Sequence, residues 1–176
     1  MRRFIQTILG FALASALTAV LSSAGVAAAA STAVTPEVDS PVTIARVFTS
    51  WRDAASFKRI SEYFTGHENT GGITVLRTHP EQRTGFYFLV RAANHGGPQV
   101  VKINLDVITP ADHKAKAYVF STTLPAGDSI LNVGLTAEDW PDDKANPIAW
   151  KLELVNAAGQ ILAGEKSYLW EKPLAN

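Results

Sequence analysis

The chain has 176 residues, 16 basic and 16 acidic side chains and no cysteine. Without cysteine there is no disulfide framework, no thiolate metal site, no Cys nucleophile and no lipobox. The balanced charge supplies no basic stripe of the kind nucleic acid or anionic lipid requires.

Met1-Arg2-Arg3 is cationic, Phe4 to Val26 carry no charge, and the stretch closes on Ala27-Ala28-Ala29-Ala30-Ser31. A cationic head, an apolar run and small-x-small sites are the pattern of a secretory signal peptide. Residues 1–30 are therefore expected to be removed and the rest exported, to a periplasm or the medium. The run is also long enough to cross a bilayer, so an uncleaved anchor is the alternative; the alanine-rich end favours removal. No later segment is apolar enough for a second span, so no stable membrane span is expected after signal removal. Residues 31–41, punctuated by Pro36 and Pro41, read as a flexible tether. Residues 42–176 are expected to form a single domain, large enough to bury roughly 68–70% of its unfolded surface.

Between 42 and 55 two patterns compete. Ile44, Phe48, Trp51 and Ala55 lie at helical spacing, while Val42, Ile44 and Phe48 also suit an extended strand. Ser56 to Gly66 is clearer: Ser56 can cap a start, Phe57, Ile60 and Phe64 share a side, and Gly66 can take the left-handed stop. One short helix is predicted there.

From Gly72 the period changes to two. Phe86, Phe88, Val90 and Ala92 alternate with Tyr87, Leu89 and Arg91; Val101, Ile103, Leu105 and Val107 alternate with Lys102, Asn104 and Asp106. Leu131, Val133, Leu135 and Trp150, Leu152, Leu154 repeat the pattern. Alternation of this kind marks sheets with one dry face, which antiparallel sheets allow. Strands are predicted near 73–78, 86–93, 99–108, 115–121, 129–135, 148–155 and 161–170, separated by turn residues. About seven such strands predict an all-β antiparallel sandwich of immunoglobulin or fibronectin type III kind with one short N-terminal helix. The Cys…Trp…Cys signature is missing, which makes fibronectin type III the nearer analogy.

Chemistry is sparse. Gly127-Asp128-Ser129-Ile130 resembles the GDS block of SGNH-type esterases and of chymotrypsin-like proteases, but no His follows His113 and no Gly-Gly follows Ser129. A hydroxyl without a base and an oxyanion hole is not a nucleophile, so the string is read as a hairpin turn. His67, His79, His95 and His113 all fall in loops without ligand spacing, and three of them on one metal would define a metal-dependent hydrolase, the least favoured reading. No metal or other cofactor is expected.

Glu138-Asp139-Trp140-Pro141-Asp142-Asp143 gathers four carboxylates around a tryptophan in a loop over 136–147. It lacks the spacing of an EF-hand loop. A Trp beside carboxylates suits either sugar stacking or a protein contact, whereas a Trp turned inward would plug the end of the sandwich. Trp140, Asp139, Asp142 and Asp143 are therefore the first candidate binding residues. His67, Glu68 and Asn69, in the glycine-bearing segment 63–72, are the second. The functional expectation is an exported, non-catalytic binding or accessory module of the cell envelope. It would contact a protein, for instance by adding a partner strand to a sheet edge. The alternative is a carbohydrate-binding module that uses Trp140 on a polysaccharide.

Overall fold

Val101, Ile103, Leu105 and Val107 are fully buried on one face of their strand, and Lys102, Asn104 and Asp106 take the other. Each buried aliphatic side chain contributes about 1.5–3 kcal/mol, so this period of two fixes which way the strand faces. The computed structural model describes residues 39–140 and 142–171. The expected signal peptide and all but the last residues of the tether lie outside them. The described strands are β1 (Val42–Arg52), β2 (Thr74–Arg77), β3 (Gly85–Asn94), β4 (Gln99–Ile108), β5 (Lys116–Leu124), β6 (Gly127–Thr136), β7 (Ala149–Val155) and β8 (Ile161–Lys166). A single short helix, α1 (Ile60–Thr65), and 3₁₀ turns at Ala55–Phe57, Ala137–Asp139 and Tyr168–Glu171 complete them.

The strands form two sheets, in the orders β1-β3-β6-β2 and β5-β4-β7-β8. Their facing sides share one core, with Phe86, Phe88 and Val133 from one sheet against Ile103, Leu105 and Leu152 from the other. The architecture is an all-β sandwich.

All but one of the pairings are antiparallel. The exception corrects the purely antiparallel expectation: β2 runs parallel to β6, with Leu76 opposite Val133. β1 and β2 occupy opposite edges of one sheet, so residues 53–73 must cross that sheet before β2 begins. A parallel partner needs such a crossover.

Every predicted strand is present, and the segment left open at 42–55 supplies the eighth. Val47, Thr49 and Trp51 of β1 lie opposite Val90, Phe88 and Phe86 of β3. A neighbouring strand that offers apolar partners at every second residue outweighs the helical spacing. A bulge between Ile44 and Arg46 shifts the register once.

The GDS string is also placed differently from the expectation. Pro125 and Ala126 carry the chain from β5 in one sheet to β6 in the other, so the turn is an inter-sheet corner and not a hairpin. Gly127 takes φ +86° there. Buried Asn94 fastens this corner to the β3–β4 corner: its Nδ2 donates to the carbonyls of Gly97 (2.9 Å) and Pro125 (3.1 Å).

β3 and β6 depart from simple alternation because both of their faces are covered. Phe86, Tyr87 and Phe88 are buried in succession, as are Leu131 to Thr136. The inner face meets the core, and the outer face meets the crossing segment. The predicted helix over 56–66 is split within that segment, since Lys58 is extended (φ −69°, ψ 127°). Phe57 therefore packs toward the sheet while Ile60 and Phe64 are exposed. Gly66 makes the expected left-handed stop at φ +70°. No described helix is long and apolar enough to cross a membrane.

Candidate functional site

The crossing segment is clamped to the outer face of β3, β6 and β2 by one aromatic stack and a set of ion pairs. Phe57 lies on the Tyr87 ring with centroids 4.7 Å apart. The guanidinium groups of Arg52 and Arg77 stand 4.2 Å and 5.3 Å from the centre of the Phe57 ring. Both are within cation–π range. Tyr87 donates its hydroxyl to the carbonyl of Arg83 (2.7 Å) and accepts from Arg77 Nε (2.9 Å).

The acids of the segment turn inward to this basic floor. Glu68 receives both Arg77 Nη atoms, at 3.0 and 2.6 Å, the two-pronged geometry that suits a guanidinium and a carboxylate. Buried Glu62 accepts from Arg83 Nη1 at 2.6 Å and from the Asn69 amide at 3.1 Å. The Arg83 bond, followed by the Asn69 amide, holds the Glu62 carboxyl below the usual carboxylate range. The Arg77 bond does the same for Glu68. Burial pushes the Tyr87 hydroxyl up, partly offset by Arg77.

With its acid turned inward, α1 presents an apolar outer side. Ile60, Tyr63 and Phe64 are 79%, 74% and 84% exposed. The spacing i, i+3, i+4 puts them on one helical face. Lys58 and Arg59 stand exposed at the start of that helix.

Of the second group of sequence candidates, Glu68 and Asn69 belong to the clamp. Asn69 donates Nδ2 to Ser61 Oγ and accepts the Gly71 amide, both at 2.9 Å. His67 stays exposed.

The first group sits at the end of the sandwich, and here the structure decides between the two placements left open for the tryptophan. Trp140 is 5% exposed and stacks on Phe86 at 4.6 Å, which is the inward, plugging placement. The turn that sends it inward starts at Ala137, whose φ of +54° is left-handed for a non-glycine residue. Trp140 then donates its amide to the Ala137 carbonyl (3.1 Å). Asp139 lies 3.2 Å from His79 Nε2, and Glu138 lies 3.3 Å from the same atom. Burial, with the Asp139 charge beside it, pushes the Tyr118 hydroxyl up to about 12. Asp142 joins Asp139 and Trp140 along a shallow pocket of about 210 Å³. Asp143 is exposed and is not among the residues that line it. Among the described residues no group of three or more His, Asp or Glu is arranged to hold a metal ion.

Sequence reasoning missed Arg52, Glu62, Arg77, Arg83 and Tyr87 as members of a site, and placed Phe57 only on a helical face. Their signal is weak, because they meet only once residues 53–73 have crossed the sheet. Phe57, Ile60 and Phe64 are legible as one helical face; the extended Lys58 divides it, turning Phe57 in and leaving Ile60 and Phe64 outward beside Tyr63. No family model, no curated protein and no solved structure matches the chain.

Proposed function

We propose that this chain is an exported, non-catalytic binding module of the cell envelope that docks a protein partner on the outer face of α1. One observation carries the reading: three large apolar side chains are displayed together on a short helix whose base is clamped to the sheet. Burying each one against a partner is worth about 1.5–3 kcal/mol. The clamp limits the ordering cost that a free loop would incur on binding.

The sandwich is of immunoglobulin or fibronectin type III-like kind. The order β1-β3-β6 facing β5-β4-β7-β8 corresponds to strands A, B and E facing C′, C, F and G. β2 is the departure, since it stands beside β6 and runs parallel to it. The carbohydrate alternative is less well supported, because Trp140 has no free ring face on which a sugar would stack.

The test compares wild type with Ile60→Ser/Phe64→Ser, each crosslinked in cells of the native host and sized after extraction. The reading expects a discrete species heavier than the chain that disappears in the variant while the melting midpoint stays put. An unchanged species in the variant, or none in the wild type, overturns it.

A further inference from the structure

We propose that the cleft between the crossing segment and the sheet binds a small oxyanion, a carboxylate or a phosphate. The cleft measures about 110 Å³ and is lined by Arg52, Lys58, Arg59, Asn69 and Asn132, among others. A single water needs about 10–15 Å³ of such space, so the cleft has room for a phosphate or a carboxylate group.

Its charge is one-sided. The ion pairs of the described residues leave Arg52, Lys58 and Arg59 without a carboxylate partner. Glu68, the acid that lines the cleft, is held by Arg77 with both of its oxygens. Two of the cations are already positioned. Arg52 is stacked on Phe57 and donates to the Ser56 carbonyl at 3.3 Å, and Arg59 donates to the Thr70 carbonyl at 3.5 Å. Planar guanidinium groups fixed in this way suit carboxylate and phosphate oxygens.

A neutral side chain, Asn132, stands among the residues that line the cleft, with its amide oxygen closed off from it. Asn132 is 4% exposed, sits on the outer face of β6 opposite Val75 of β2, and its amide oxygen has no hydrogen-bond partner. Buried amides are rarely left unpaired. Ile60, Tyr63 and Phe64 do not line this cleft; Lys58 borders both, with its ammonium 5.7 Å from the centre of the Tyr63 ring.

The experiment is calorimetric titration of the full chain, purified from its host, with inorganic phosphate, D-glucuronate and, as a neutral control, D-glucose. Saturable binding of phosphate or glucuronate without glucose binding is expected, and the tighter of the two identifies the source. Lys58→Glu, at an exposed position, should weaken that binding about tenfold or more, the equivalent of about 1.4 kcal/mol. Phe64→Ser should leave it unchanged. Saturation by neither anion, equal binding of glucose, or unchanged affinity in Lys58→Glu overturns the proposal.

Discussion

Tyr87 lies across Gly134. The two are cross-strand partners on β3 and β6, and a Cβ built at Gly134 would clash with Cε1, Cζ and Cδ1 of the tyrosine ring. The missing side chain lets the ring lie over β6 and bring its hydroxyl to Arg77 and Arg83. Phe57 then stacks on that ring, so one glycine provides the seat for the whole crossing segment.

Gly134→Ala should therefore displace the ring and cost about 1–3 kcal/mol, the usual penalty for overpacking. Tyr87→Phe keeps the ring and loses only its hydroxyl bonds, for about 0.5–1.5 kcal/mol. Urea melts of both variants rank them. A smaller loss for Gly134→Ala than for Tyr87→Phe would mean the ring is not seated on the glycine.

Trp140→Ala should cost about 3–5 kcal/mol, because the ring fills the end of the core, and Leu105→Ala should cost about 2–5 kcal/mol. Denaturant midpoints check both. A Trp140→Ala loss below about 1 kcal/mol, the typical effect of a mild substitution, would return the ring to the surface.

Much of this fold is legible in the sequence for a single reason. Strands such as β4 and β7 bury one face, so their alternation is visible without knowledge of their neighbours. β3 and β6 bury both faces, and Tyr87 and Asn132 read as outward until the crossing segment covers them. β1 is ambiguous because its facing is decided by β3. The candidate site is less legible still, since the pairs Glu62 with Arg83 and Glu68 with Arg77 depend on that same crossing. Trp140 shows a different limit: its loop leaves exposure and inward plugging both open, and the left-handed turn at Ala137 sends the ring inward.

Acid should loosen the clamp. Glu62 and Glu68 lie below their ordinary value of about 4.5, so in the folded state they favour the charged form. Such groups add stability above the unfolded pKa and lose it as pH falls through the folded one. Glu62→Gln/Glu68→Gln should be less stable than wild type at neutral pH, with the gap closing as pH drops below about 4.5. Urea midpoints at neutral and acid pH test this, and an equal gap at both would contradict it.

Alkali acts through a different residue. Tyr118 is pushed up from 10 to about 12, so the folded state holds its proton longer than the unfolded chain. Stability contributed by that proton is complete below about pH 10 and is lost as pH rises toward 12. Tyr118→Phe should flatten the alkaline decline in the melting midpoint, and an unchanged decline would contradict this.

If α1 is a docking face, a probe placed on it should meet the partner, and photo-crosslinking in living cells of the host reads this out. A benzophenone amino acid is placed at Tyr63 on α1 or, as a control, at exposed Thr123 on β5. The expected result is a discrete adduct from position 63 that Phe64→Ser abolishes, and none of comparable yield from position 123. Equal labelling from the two positions, or no adduct from position 63, would contradict the docking role of α1.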